Sequence, residues 1–299
     1  MALLIITTIL WAFSFSLIGE YLAGSVDSYF SVLMRVGLAA LVFLPFLRTR
    51  GQSPRTIVLY MLVGAMQLGI MYLLAFRAYI YLTVSEFLLF TVFTPLYITL
   101  IYDLLNGRKL RWGYLLSAAL AVLGAAIIRY DKVSDHFWTG LLLVQLSNLC
   151  FAIGMVGYKR LMEVRPMPPH NAFAWFYVGA FIVAVAAWFM LGNAQKLPTT
   201  TLQWSVLVWL GVVASGLGYF MWNYGATQVD AGTLGIMNNV HVPAGLLVNL
   251  AIWQEQPHWP SFISGALVIL ASLWVHRRWV APHSGQTADD RRRGSAQSE

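Results

Sequence analysis

Charge is what this sequence has little of. Asp, Glu, Lys and Arg make up 10% of its 299 residues, while 59% are apolar. An ordinary soluble domain carries roughly 25% charged residues. A water-soluble globule cannot hide this much apolar surface beneath so few charges, which excludes a soluble enzyme, a disordered chain and a nucleic-acid-binding module. Cysteine is nearly absent too. Cys150 stands alone inside an apolar run, so no intramolecular disulfide forms and cysteine usage says nothing about redox compartment. The pattern G-x-x-x-x-G-K-[ST] does not occur, so the chain is not its own ATPase. The six histidines are scattered, and only His241 falls deep inside an apolar stretch. No His, Cys or carboxylate cluster suggests a metal, and no cofactor is expected. An intramembrane protease would want G-x-S-x-G-like surroundings. The nearest pieces, Ser215 in ASGLG and His241, do not make that motif, so no enzyme is expected.

What is present is apolar length. Ten stretches stand out, at about 2–22, 29–47, 57–77, 84–103, 112–129, 138–158, 172–191, 204–223, 233–253 and 261–280. Each is close to the ~20 residues that a helix needs to cross ~30 Å of hydrocarbon. None alternates apolar with polar, which excludes transmembrane strands. The first has no basic leader and no A-x-A-like site in a polar context, so it reads as a retained helix. Residues 281–299 are polar and read as a disordered cytoplasmic tail. The expectation is an all-α polytopic membrane protein with ten transmembrane helices. Its surroundings are the lipid bilayer, it binds no nucleic acid, and oligomeric state is not encoded.

The formal net charge is +7, and its distribution sets orientation. With the N-terminus in the cytoplasm, fourteen of the nineteen Lys and Arg lie on inner loops and the tail. Four (Arg77, Arg129, Lys132 and Lys196) lie at outer ends, and Arg35 is inside a span. Excess loop cations mark the cytoplasmic side, so both termini are expected there.

Two segments resemble each other, YLTVSEFLLFTVFTPLYITLIYDLLNGRKLRWGYLLSAALAVLGAAII and TQVDAGTLGIMNNVHVPAGLLVNLAIWQEQPHWPSFISGALVILASLWV. Each has a small-polar turn, a span with a central proline (Pro95, Pro243), a polar loop and an Ala/Leu/Gly-rich span. Five spans per copy is odd, so the copies lie inverted, as residues 1–131 and 132–280. Inverted repeats are a signature of secondary transporters, with the substrate site near the midplane between them. Mid-span proline frees a backbone carbonyl that a cavity or neighbour must take up. Pro95 and Pro243 are assigned this structural role.

Several motifs occur in a telling order. They are WAFSF in the first span, LMRVGLAALVFLPF in the second, TP in the fourth, and PAGLLVNLAIWQEQPHWPSFISGALVILASL at the close. Over residues 1–280 the chain resembles the EamA branch of the drug/metabolite transporter superfamily. HFWTGLLLVQLSN, MVGYKRLME, RPMP, HNAFAWFY and VDAGTLGIMNN resemble the biotin-transporting members of that branch. The resemblance implies a 5+5 fold and import of biotin across the bacterial inner membrane. The alternative within the superfamily is export of amino acids or amphipathic drugs. Arg35 matches an arginine typical of the branch. It is expected to be structural, pairing with carbonyls or with a carboxylate such as Glu86 or Glu20.

Polar side chains at membrane depth are costly against lipid and point inward. In the ninth span Asn238, His241, Gly245 and Asn249 fall within about 80° of one another at ~100° per residue, with Asn239 on the flank. The sixth span offers Gln145 and Asn148, and the first Trp11 beside Ser14. The third offers Gln67 and Tyr72, about 140° apart, so only one faces the pathway's centre. The eighth offers Tyr219 and Trp222. Biotin's ureido group has two N–H donors and a carbonyl, and Asn and Gln answer both. Aromatic rings suit its apolar body. Its carboxylate wants a cation or several donors, for which Arg77 at the outer end of the third span is assigned. The alternative is that the amides only tie helices together, at about 0.6 kcal/mol each, and that Arg77 only reaches the headgroups. For proton coupling, Glu86 and His241 are the candidate titrating groups.

Overall fold

The computed structural model describes residues 2–105, 135–229 and 244–254, together with isolated positions between 119 and 274. All regular structure among the described residues is helical. Seven helices are long and apolar enough to cross a membrane: α1 (Ala2–Tyr21), α2 (Ser28–Phe46), α3 (Pro54–Ala78), α4 (Val84–Tyr102), α5 (His136–Val164), α6 (Pro169–Leu191) and α7 (Thr201–Thr227). A shorter apolar helix, α8, covers Ala244–Trp253. The protein is therefore a multi-pass membrane protein. Helices α1–α4 fall on the first four expected spans, α5–α7 on the sixth to eighth, and α8 on the second half of the ninth. The fifth and tenth expected spans lie mostly outside the described residues.

Helix starts follow local chemistry. Four orphan N–H groups at each start need acceptors. The Asp27 side chain accepts from the Phe30 N–H at 2.8 Å and opens α2. Ser53 caps α3 just before Pro54, whose missing N–H is harmless at that position. Thr83 with Glu86 and Thr200 with Gln203 close reciprocal capping boxes on α4 and α7. Helix α5 outruns its expected apolar segment, because hydropathy marks the hydrocarbon crossing while the helix continues past it.

Packing is close where side chains are small. A Cβ placed on Gly64 would fall on the carbonyl of Phe176, and one on Gly179 would fall on the carbonyl of Met61. Helices α3 and α6 thus meet backbone to backbone, as small-residue seams allow in membranes. Helix α7 packs along α1 and α2, and α5 along α3 and α4. Several helices are not α-helical throughout, and α8 is π-helical over Asn249–Trp253. Helix α3 winds as π-helix over Ala65–Ile70, and α7 over Leu210–Leu217.

The connections pair by side. The α1–α2 loop meets the α6–α7 loop, where the Asp27 N–H donates to the Lys196 carbonyl at 2.8 Å. The Asn193 N–H there donates to Asp27 at 3.3 Å. At the opposite end, the Arg48 N–H donates to the Asn171 side chain at 3.0 Å, and the Asn171 amide returns a bond to the Arg48 carbonyl at 3.1 Å.

Helix α4 breaks where its proline stands. Pro95 has no N–H to give to the carbonyl of Thr91, one turn earlier. The hydroxyl of Thr94 donates to that carbonyl instead, at 2.6 Å. The neighbouring carbonyl of Phe90 accepts from Asn148 at 2.9 Å and from Gln145 at 3.3 Å. The expected mid-span proline is thus answered by its own helix and by α5. Pro243 lies outside the described residues.

Candidate functional site

The helices enclose a cavity of about 670 Å3 of atom-free space, counted out to its open mouth. Helices α1 to α5, α7 and Asn238 all contribute to its lining. Aromatic rings dominate one side. Trp11 lies 4.5 Å from Tyr219 and 5.0 Å from Trp222 between ring centroids. Tyr219 meets Tyr72 edge-on at 5.7 Å. The Trp11 indole N–H is fixed by the Ala214 carbonyl at 3.0 Å, in the π-helical stretch of α7. That stretch also presents Ser215 toward α2.

Five expected site residues line this cavity: Trp11, Tyr72, Asn148, Tyr219 and Asn238. Ser14 lines it as well. Gln145 stands behind, donating to Phe90 and accepting from the Tyr97 hydroxyl at 3.0 Å. Gln67 does not line it. Its amide donates to Asn223 at 3.2 Å, five residues before Tyr72 on α3. Only one of Gln67 and Tyr72 faces the cavity, as their angular separation predicts. Trp222 is fully buried beneath Trp11. Arg77 is outside the lining, with its guanidinium 5.9 Å from the Tyr29 ring. Glu86 accepts from the Thr83 N–H at 2.9 Å as part of the α4 cap. His241 and Asn239 lie outside the described residues.

Arg35 departs from expectation. It lines the cavity, and its hydrogen-bond partners are hydroxyls in place of a carboxylate. Nε donates to Ser215 at 3.0 Å and Nη2 to the Tyr72 hydroxyl at 2.9 Å. Tyr72 and Ser215 are themselves bonded at 2.8 Å, and the guanidinium lies 4.2 Å over the Tyr72 ring. Glu20 is exposed. Among the described residues the sole ion pair is Arg160 with Glu163 at 3.0 Å. The signal that marked Arg35 was available: an arginine within a span is functional by default. Tyr79 also lines the cavity and was missed, because an aromatic at a span end reads as a membrane-belt residue.

Two buried polar atoms in the lining have no hydrogen-bond partner among the described residues, Nδ2 of Asn238 and the hydroxyl of Tyr79. Buried polar groups are normally satisfied, and these two leave hydrogen-bonding capacity in the lining. No group of three His, Cys or carboxylate side chains converges among the described residues.

A multi-pass helical bundle with an aromatic, partly polar cavity lined from many helices is the build of a membrane transporter. The chain belongs to the EamA-like transporter family, whose sequence profile matches residues 1–130 and again 138–277. It is 82% identical over all 299 residues to the biotin transporter of Escherichia coli (strain K12), covering 100% of both chains. It is 55% identical over 279 residues to the probable biotin transporter of Pseudomonas aeruginosa, covering 93% of this chain and 97% of that one. One solved crystal structure superposes with a TM-score of 0.64 at 17% identity, covering 92% of this chain and 95% of the other. That last likeness is one of fold alone.

Proposed function

We propose that this chain is a secondary transporter that imports biotin across the bacterial inner membrane. The observation that carries the reading is the 82% identity, without gaps in coverage, to a protein named biotin transporter. The cavity suits such a guest. Asn148 and Asn238 face a ureido head with acceptor and donor atoms, while Trp11, Tyr72 and Tyr219 cover the apolar body. By sequence spacing His241 belongs to the same polar stripe as Asn238 with Asn239 on its flank, and Arg77 draws the anion toward the outer mouth.

The wider architecture in this proposal is ten helices in two inverted five-helix repeats, 1–131 and 132–280, followed by a disordered cytoplasmic tail. Two successive matches to one family profile support the repeat. So do the π-helical stretches in α3 and α7, the third helix of each half. The paired loops support an N-in, C-in orientation: Arg48, Arg50 and Arg55 gather with Arg165 at one end, while the Asp27–Lys196 contact lies at the other. Transport proceeds by alternating access, with the two halves rocking about the broken α4 and its counterpart at Pro243. Glu86 and His241 are the candidate coupling groups.

Purified protein in liposomes tests this. Saturable uptake of labelled biotin, blocked by excess unlabelled biotin and not by tryptophan, is the expected result. Its response to an imposed proton gradient shows whether coupling is to protons. Tryptophan uptake without biotin uptake would return the chain to the exporters of the superfamily.

A further inference from the structure

We infer that Arg35, and not a residue at the outer rim, is the anchor for the substrate's carboxylate, so that a free carboxylate is required for recognition. The inference deepens the biotin reading and rests on it. Arg35 is 3% exposed, lies two turns into α2 and lines the cavity. A guanidinium offers five N–H donors. Two are taken, by Ser215 and Tyr72, and three have no acceptor among the described residues. Both partners are neutral, as are the ring faces of Tyr72 and Phe76 at 4.2 and 5.5 Å. A buried charge is normally paired with an opposite charge, and no described carboxylate performs that service here.

The geometry fixes the guanidinium more firmly than a salt bridge to a flexible side chain would. Ser215 sits on the π-helical stretch of α7 and Tyr72 on α3, and their mutual hydrogen bond at 2.8 Å closes a triangle with Arg35. Tyr72 and Ser215 are therefore positioning residues, holding a planar fork whose unused edge matches a carboxylate in two parallel hydrogen bonds. Tyr79, with its unpartnered buried hydroxyl in the same lining, adds a further donor. Asn148 and Asn238, on α5 and beyond α7, supply the amide chemistry suited to the ureido head. A guest with an anionic tail and a hydrogen-bonding head fits this division, and a guest whose tail is neutral leaves the cation bare.

The test is a competitor series on full-length protein in liposomes, scored as inhibition of labelled biotin uptake. Biotin and desthiobiotin keep both the ureido group and the carboxylate, and both are expected to compete. Biotin methyl ester and biotinamide keep the head and lose the anion. They are expected to compete about 30-fold more weakly or worse, the scale for leaving one member of a buried charge pair alone. In R35Q the acid is expected to lose its advantage, so that acid and amide compete alike. R35K is expected to restore part of it. Y72F and S215A are expected to raise KM for biotin more than they lower kcat. Ester and amide competing as well as biotin against the wild type would overturn the inference while leaving biotin transport intact. So would an R35Q protein that transports biotin with its preference for the acid preserved. If R35Q does not reach the membrane, the wild-type series still decides. No saturable biotin uptake by the wild type would overturn the biotin reading, and this inference with it.

Discussion

At the scale of single residues, Asn148 and Asn238 look alike in sequence and do different work. The Asn148 amide already donates to the Phe90 carbonyl exposed by the break in α4. The Asn238 amide has no such duty among the described residues. Asn238→Leu is therefore expected to weaken biotin uptake several-fold with normal amounts of protein in the membrane. Asn148→Leu is expected to do both kinds of damage, since the Phe90 carbonyl keeps only the longer bond from Gln145, and a lost hydrogen bond costs about 0.5–1.5 kcal/mol. Uptake kinetics beside quantitative membrane immunoblots separate the two. Depth along a span was legible from the sequence, and it singled out Asn148, Asn238, Trp11, Tyr72 and Tyr219. Facing was not legible where amides satisfy one another. Gln67 finds Asn223 and Gln145 finds Phe90 and Tyr97, 156, 55 and 48 residues away. Long-range pairing of that kind leaves no local pattern. Arg35 was expected to pair with carbonyls or with a carboxylate, whereas its hydrogen-bond partners are hydroxyls from two other helices.

At the scale of elements, the apolar runs marked the helices, but not how their backbones would bend or touch. The π-helical stretches in α3 and α7 have no proline, and no periodicity announces them. Helix α4 shows the opposite case, because Pro95 predicted a break and Thr94 repairs it. Replacing Thr94 with Val keeps the shape and removes the donor to the Thr91 carbonyl. The expected outcome is slower biotin exchange across the membrane with little change in equilibrium binding, measured by counterflow and by binding to purified protein. The α3–α6 seam predicts a harsher effect. Gly179→Ala places a methyl on the Met61 backbone, where nothing can rotate aside. Overpacking typically costs about 1–3 kcal/mol, so the amount of folded protein recovered in mild detergent is expected to fall several-fold. Gly24→Ala meets no neighbouring atom, although its positive φ of 74° makes that change mildly strained.

At the scale of the whole molecule, the charge count alone identified a membrane protein and the loop cations gave it a direction. The direction is testable because the chain has a single cysteine, Cys150. In a Cys150→Ser background, a cysteine at Gln195 is expected to react with a membrane-impermeant thiol reagent added to spheroplasts. A cysteine at Thr49 is expected to react only after the membrane is opened. The reverse labelling would invert the assigned orientation. The contact between the α1–α2 and α6–α7 loops bears on a different matter, how the helices are held at one end. Asp27 ties the start of α2 to the loop that leads into α7, through Lys196 and Asn193. Those two helices also pack along one another. That contact couples the start of α2 to the lead-in of α7, so the two helices are held together at this end as well as along their lengths.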